Sequence, residues 1–205
     1  MPALSLQNKV LRGGSSVSRV GIFAGTFDPI HNGHLDVARL SKDQCLLSEV
    51  CFAVEEEPWG VKNPVGIEKR YAMVNLTIKD ESDIKQIVLP QKHFDINSTL
   101  PYLETHFGNS ELFFIFGADV FIKMDSSSWP NLPKLFNHNL IIFERGEINE
   151  NDIQKHAEKL GINIAILTSQ HLKHSSTDVR IETDKSIWVP RLVAKYITEN
   201  KLYVN

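Results

Sequence analysis

Short apolar runs alternate with helix-like segments along most of this chain, and this alternation restricts its fold strongly. Strands that alternate with helices form a parallel sheet joined by right-handed crossovers. We therefore predict an α/β fold, with a doubly wound parallel sheet of about six strands and helices on both faces. The predicted strands are Val20–Ala24, Glu49–Val54, Ile84–Leu89, Glu111–Phe116 (the most apolar, placed centrally), Asn139–Phe143 and Ile162–Leu167. The predicted helices are Leu35–Leu40, Ile67–Ile78, a segment from Asn97 or Ser98 to Phe107, Ile148–Leu160 and Pro190–Asn200.

The turn after the first predicted strand has the sequence GTFDPIHNGH, from Gly25 to His34. Gly25 lets the backbone leave the strand and approach a ligand closely. Gly33 stands at a helix start, where free N–H groups and the positive end of the helix dipole favour a phosphate. His31 and His34 are three residues apart and face the same way on a first helical turn. Two imidazoles placed there can hydrogen-bond a phosphate and stabilise charge that grows on it.

The histidine pair has two other interpretations. A metal site would need a third and usually a fourth ligand, and no cluster of Cys or His residues lies nearby in the sequence. Ordinary surface histidines at a helix cap are the second, but the flanking strand, the glycines and the Asp28-Pro29 turn argue against it.

Length and composition restrict the class of protein. The chain has 205 residues, of which 42% are hydrophobic, and this suits one domain with a sizeable core. The net charge of −3 gives no reason to expect nucleic acid binding. No apolar run approaches the ~20 residues that span a bilayer, so we expect no membrane partner. We predict a short disordered tail over residues 1–19, with a transit peptide as the alternative, and one domain over residues 20–205.

Cys45 and Cys51 flank the start of the second predicted strand. We interpret them as small buried apolar residues in a reducing cytoplasm. A disulfide or a redox pair is the alternative, but their spacing matches no redox motif.

A second candidate phosphate site lies near the end of the chain, where Ser175, Ser176 and Thr177 precede Arg180. Three hydroxyls and free N–H groups at a helix start, with an arginine on the first turn, form a cradle for a phosphate. The alternative is a plain N-cap, which does not require three hydroxyls and an arginine together.

Three other residues are candidates because of their type and place. Asp119 follows the central strand, where it can accept hydrogen bonds from hydroxyls, and Trp129 on a loop offers a flat face for stacking. Trp129 alone also fits a core residue. Lys62 lies on a loop with Gly and Pro, from which a mobile charge reaches a phosphate.

These motifs resemble those of the nucleotidylyltransferase superfamily, whose members carry an HxGH signature after the first strand. The ten residues of the turn are close to the versions found in two adenylyltransferase families. One makes dinucleotides from nicotinate mononucleotide, and the other adenylylates phosphopantetheine. The segment HSSTDVR at residues 174–180 resembles the ISSTxIR motif of the first family. Other matches to that family are Lys62 with Arg70 and Met73 (a lysine loop and RxxM), Gly117–Asp119 with Trp129 (GAD…W), Arg145-Gly146 (RxG) and a C-terminal helix over Val189–Tyr203.

The resemblance implies a Rossmann-like adenylyltransferase that joins ATP to nicotinate mononucleotide and releases pyrophosphate, with Mg²⁺ accompanying the ATP. It implies catalytic roles for His31, His34 and Arg180. The implied ATP-binding residues are Gly25, Thr26, Phe27, His31, Gly33, His34, Gly117, Asp119, Ser175, Ser176, Thr177 and Arg180. The implied mononucleotide-binding residues are Lys62, Thr99, Trp129 and Arg145. Arg70 fits a structural ion-pair partner as well as it fits the family motif. We interpret the C-terminal helix as packing, and we predict no metal ligand among the residues.

Two alternatives stay open, a phosphopantetheine adenylyltransferase and a catalytically silent nucleotide-binding regulator. The ISSTxIR-like segment and Trp129 argue against the first, and the presence of both histidines and Arg180 argues against the second. Residues 94–100 depart from the family's YTxDTL block, which lies near the pyridine site. The resemblance favours the acid mononucleotide over its amide, but this departure leaves the preference open. The oligomeric state is also open, a homo-oligomer included.

Overall fold

Six parallel strands form one sheet in the order β3-β2-β1-β4-β5-β6. The computed structural model describes residues 17–58, 63–125, 127, 129–144, 146–168, 176–182 and 184–204. The strands are β1 (Arg19–Gly25), β2 (Glu49–Val54), β3 (Ile84–Ile87), β4 (Glu111–Gly117), β5 (Asn139–Phe143) and β6 (Ala165–Leu167). The predicted α/β fold with a doubly wound parallel sheet is confirmed, and the apolar strand β4 lies at its centre, between β1 and β5.

Helices cover both faces of the sheet. One face packs against α1 (Asn32–Cys45), α2 (Ile67–Ile78), α7 (Ser176–Ile181) and α8 (Arg191–Glu199). The other face packs against α3 (Thr99–Phe107), α4 (Ala118–Phe121), α5 (Leu132–Leu135) and α6 (Glu150–Leu160). A short 3₁₀ helix at Lys185–Ile187 precedes α8.

Alternate residues of the central strands enter the two core layers. On β4, Phe113 and Ile115 face the layer of α1 and α2, while Leu112, Phe114 and Phe116 face the layer of α3 and α6. A parallel strand buried on both faces has no polar side, and this explains why the strands read as continuous apolar runs in the sequence.

The sheet order reverses between β1 and β4. The chain builds β2 and β3 to one side of β1, and then returns to place β4 on its other side. The carboxyl ends of these two strands, at Gly25 and Gly117, therefore lie side by side at the switch point where ligands bind in such sheets.

Cys45 and Cys51 are free thiols in the core, and burial raises their pKa values to about 11 and about 12 respectively. No helix of the described ranges is long and apolar enough to cross a membrane. Strand β1 begins at Arg19, at the predicted start of the domain, and residues 1–16 of the predicted tail lie outside the described residues.

Candidate active site

A cavity of about 550 Å³ opens at the carboxyl ends of β1 and β4. Many of the predicted site residues line it, although they come from distant parts of the sequence. They are Gly25, Thr26, Phe27, His34, Gly117, Asp119, Trp129, Ser176, Thr177 and Arg180. Because both phosphate-binding candidates, the HxGH turn and the segment before Arg180, meet at this one cavity, a nucleotide with several phosphates can contact both.

His31 and His34 form a stacked pair at the start of α1. Their ring centroids lie 3.7 Å apart, so the prediction that they face the same way is confirmed. The main-chain N–H of His31 donates to Nδ1 of His34 at 3.2 Å, and both side chains are buried. His34 lines the cavity, with the ring of Phe27 packed edge-on against it at 5.1 Å.

The start of α1 is less open to a phosphate than its sequence predicts. The N–H of Asn32, its first residue, donates to the main-chain oxygen of Trp188 at 2.8 Å, from the segment that precedes α8. This N–H group is therefore taken by the protein itself. The two glycines of the turn are needed for space as well. A β-carbon at Gly33 would lie 3.1 Å from the His31 ring, and one at Gly25 would lie 3.1 Å from the Phe27 ring.

Arg180 and Ser176 bind the HxGH turn directly. Nη1 of Arg180 donates to the main-chain oxygen of Asp28 at 2.6 Å, and Nη2 donates to the hydroxyl of Thr177 at 2.9 Å. The hydroxyl of Ser176 donates to the main-chain oxygen of Pro29 at 3.1 Å. Helix α7 thus holds its arginine at the mouth of the cavity, where a guanidinium can pair with phosphate oxygens.

Arg70 lies beneath the same turn and is 1% exposed. Its guanidinium donates to four main-chain oxygens, at distances between 2.5 and 3.0 Å, and burial lowers its pKa. These oxygens belong to Thr26, Glu55, Glu56 and Val65. Arg70 is therefore structural, and its hydrogen-bond partners are carbonyls of the loops that follow β1 and β2, with the charge of Asp28 close by.

Asp119 and Trp129 lie across the cavity from the HxGH turn, after β4. Asp119 is the second residue of the short helix α4, which begins directly after Gly117. Trp129 is half-buried and packs edge-on against Phe116, with ring centroids 5.9 Å apart, and at a tilt against Phe94 at 6.4 Å. It packs against the core and also lines the cavity, and its stacking on a ligand stays a prediction.

Other predicted residues are placed differently. His31 and Gly33 are not among the residues that line the cavity. Thr99 is fully buried, and its hydroxyl accepts from the N–H of Asp95 at 3.0 Å, so it shapes the loop before α3. Lys62, Arg145 and Ser175 lie outside the described residues.

Three acidic side chains in the cavity lining were missed by sequence reasoning. Glu55 follows β2, and its Oε1 accepts from the N–H of Phe94 at 2.8 Å. Burial raises the pKa of this carboxyl. Asp28 and Asp95 also line the cavity. The described residues contain no group of three or more His, Cys, Asp or Glu side chains arranged to hold a metal ion.

Comparison with known proteins gives consistent matches over most of the chain. The sequence model of the cytidylyltransferase-like family matches residues 22–182. A probable nicotinate-nucleotide adenylyltransferase from Clostridium botulinum (strain Alaska E43 / Type E3) is 37% identical over 202 residues, covering 91% of this chain and 98% of that relative. A protein of the same description from Clostridium beijerinckii is 34% identical over 207 residues, covering 91% of this chain and 100% of the relative.

The fold also matches solved structures. The Plasmodium falciparum nicotinic acid mononucleotide adenylyltransferase complexed with NaAD superposes with a TM-score of 0.74 at 21% identity, covering 91% of this chain and 97% of that chain. The same protein complexed with APC gives a TM-score of 0.72 at 20% identity. At these identities the likeness supports the architecture described above.

Proposed function

Because the chain belongs to the cytidylyltransferase-like family and, within it, to the nicotinate-nucleotide adenylyltransferases, we propose that it transfers AMP from ATP to nicotinate mononucleotide. The products are nicotinate adenine dinucleotide and pyrophosphate. The observation that carries this proposal is the meeting of the HxGH turn and the segment before Arg180 at one cavity. Two phosphate-binding elements facing one space suit a substrate that is itself a triphosphate.

The reaction needs no nucleophile from the protein. An oxygen of the mononucleotide phosphate attacks the α-phosphorus of ATP, the bond from that phosphorus to the bridging oxygen breaks, and pyrophosphate leaves with the electron pair. The attacking phosphate is already ionised near neutral pH. The protein therefore contributes positioning and stabilisation of the charge that grows on the phosphate oxygens.

His34 and Arg180 are placed to stabilise this charge. Nδ1 of His34 accepts from a main-chain N–H, so the proton of the neutral ring sits on Nε2, which is a hydrogen-bond donor. Arg180 supplies a permanent positive charge and a planar set of donors. Ser176 and Thr177 lie beside it with further hydroxyls in the cavity lining.

Asp119 and Trp129 suit the nucleoside parts of the substrates. A carboxylate accepts from two ribose hydroxyls at once, and a half-buried indole offers one face to a flat ring. We assign the mononucleotide to the Trp129 end of the cavity, in keeping with the family resemblance. Arg145 and Lys62, which lie outside the described residues, stay proposals for the same substrate.

Mg²⁺ belongs to this proposal as part of the ATP substrate. Magnesium keeps most of its water ligands and is commonly held by phosphate oxygens with one or two carboxylates. Such binding requires no cage of protein ligands.

The test is a pyrophosphate-release assay with Mg²⁺, ATP and one acceptor at a time. The acceptors are nicotinate mononucleotide, its amide and phosphopantetheine. We expect turnover with the acid mononucleotide and a preference over the amide of about tenfold or more in kcat/KM. Turnover with phosphopantetheine alone would replace the proposal by the other adenylyltransferase activity. ATP binding without turnover of any acceptor would point to a silent nucleotide-binding protein.

A further inference from the structure

The carboxylate of Asp28 is buried within the HxGH turn, where it is 4% exposed. Its Oδ1 accepts from the hydroxyl of Tyr203 at 2.5 Å, and its Oδ2 lies 4.0 Å from Nη1 of Arg180. The same Nη1 donates to the main-chain oxygen of Asp28 at 2.6 Å. Asp28 therefore connects a tyrosine near the end of the chain to the arginine at the cavity mouth.

The charges around Asp28 make its orientation important. A buried carboxylate is costly unless it is paired and hydrogen-bonded. Arg70 lies close enough for the Asp28 charge to raise its pKa, against the larger effect of burial. Two guanidinium groups thus lie near one carboxylate. The phenol that holds Oδ1 leaves Oδ2 directed at Arg180.

We propose that Tyr203 is a positioning residue for ATP binding, because its hydroxyl fixes the Asp28 carboxylate that in turn holds Arg180 at the cavity mouth. The proposal rests on the proposed function to the extent that Arg180 contacts the phosphates of ATP. It also revises the interpretation of the C-terminal segment as packing alone. Tyr203 lies against the core layer with its ring and reaches the site with its hydroxyl.

Two features support a role for the hydroxyl beyond packing. Burial, and then the hydrogen bond to Asp28, raise the pKa of Tyr203, so the phenol keeps its proton and stays a donor across the working pH range. Tyr203 also sits in the left-handed backbone region, with φ of 55°, which a bulky residue adopts only where its surroundings hold it.

The first experiment measures ATP affinity by calorimetry with Mg²⁺ and no acceptor, so that no chemistry takes place. Tyr203→Phe removes the hydroxyl and keeps the ring. We expect the Kd for ATP to rise about tenfold, the scale for one hydrogen bond to a charged group. Tyr102→Phe is the matched control, since it also removes a tyrosine hydroxyl. Tyr102 packs on the other face of the sheet from Tyr203, and its hydroxyl donates to the main-chain oxygen of Val88. We expect the Kd of this control to stay within about twofold of the wild type.

A purely structural role would lower the melting temperature of Tyr203→Phe but leave the Kd of the folded protein unchanged, and that result overturns the proposal. Asp28→Asn keeps the shape of the side chain and tests the same connection from its other partner. If Tyr203 acts through Asp28, the double variant binds ATP no more weakly than Asp28→Asn alone. Additive losses overturn the proposal.

The results of these ATP affinity measurements can be told apart from a failure of the proposed function. ATP affinity does not depend on the acceptor, so loss of affinity in Tyr203→Phe supports the positioning role even if nicotinate mononucleotide is not turned over. Should Tyr203→Phe fail to fold, Asp28→Asn decides alone, since unchanged ATP affinity in that variant overturns the inference.

Discussion

His31 and His34 are tied to each other by the main chain as well as by their rings. The N–H of His31 donates to Nδ1 of His34, and the two rings stack with 30° between their planes. His31 thereby fixes the tautomer and the tilt of its neighbour, while His34 alone of the pair lines the cavity. The two histidines of the signature therefore differ in their access to the cavity, and the sequence alone does not show which of them lines it.

His34→Ala is expected to lower kcat by about 10²-fold or more, the scale for the loss of one preorganised donor. The variant should fold, because the side chain lines the cavity and belongs to neither of the two hydrophobic core layers. His34→Gln, whose amide can donate from a similar position, should keep more activity than the alanine variant. Steady-state kinetics with His106→Ala, an exposed histidine on α3, as control provide the check. A near-normal kcat in folded His34→Ala would contradict the assignment.

Arg180→Lys is expected to weaken ATP binding by about 1–3 kcal/mol, because an ammonium cannot reproduce the planar set of donors. The guanidinium reaches Asp28 and Thr177 from one position, which a lysine cannot do. The measurement is calorimetric titration with ATP. The control is Arg191→Lys at the exposed start of α8. If both variants bind ATP like the wild type, Arg180 has a structural role only.

Trp129→Ala is expected to raise KM for the mononucleotide well above its effect on ATP, by about 1–3 kcal/mol in binding terms. Trp129 also packs on Phe94 and Phe116, so truncation should destabilise the protein as well. Trp129→Phe keeps part of that packing and part of the stacking face. Its KM for the mononucleotide should fall between those of the wild type and Trp129→Ala. A defect confined to ATP would place the tryptophan at the wrong end of the cavity.

Arg70→Met is expected to lower the free energy of unfolding by about 3 kcal/mol or more. The reason is that four carbonyl oxygens lose their donor and the buried Asp28 loses a nearby positive charge. Urea denaturation at constant pH measures the loss. Arg39→Met is the control, because its partners Glu81 and Asp36 form ion pairs at the surface, worth under about 1 kcal/mol. Equal losses in the two variants would contradict the importance of the buried contacts.

Glu55 makes stability depend on pH. Burial raises the pKa of its carboxyl above the ordinary value of 4.5, so the folded state holds this proton more tightly than the unfolded state. Stability from this group is present below the unfolded pKa and is lost as pH rises through the folded pKa. Glu55→Gln cannot ionise, so its free energy of unfolding should exceed that of the wild type by a margin that grows from pH 4 upward. Urea denaturation across that range, with the exposed Glu147→Gln as control, measures the margin.

Much of the fold was predictable because buried parallel strands read as apolar runs. The bounds predicted for β2, β5 and α2 agree with the structure. The predicted helix Leu35–Leu40 is too short, because α1 spans Asn32–Cys45. Among the strands, the larger errors fall at β3 and β6 near the sheet edges, where pairing and not apolar character decides the bounds. Strand β3 ends at Ile87 because its register with β2 ends there, and β6 begins at Ala165 opposite Ile141, three residues after the predicted start at Ile162.

The site was predictable where a residue type carries the chemistry. His34 and the hydroxyls of Ser176 and Thr177 were candidates by residue type, and the structure brings them to one cavity. The roles of Arg70 and Tyr203 were not predictable in this way. Arg70 binds main-chain oxygens, which every residue has, and Tyr203 meets Asp28 across 175 positions of sequence. Contacts of that kind exist only once the chain has folded.

The reversal of strand order divides the sheet into two halves. Strands β1 to β3 lie on one side, β4 to β6 lie on the other, and the ladder from Arg19 with Glu111 to Ile22 with Phe114 joins them. The cavity lies across the boundary between these halves, with Asp28 on one side and Asp119 on the other. A nucleotide bound there would contact both halves of the sheet. A ligand that binds only the folded state stabilises that state. A bound nucleotide would then also make the protein more resistant to proteolysis.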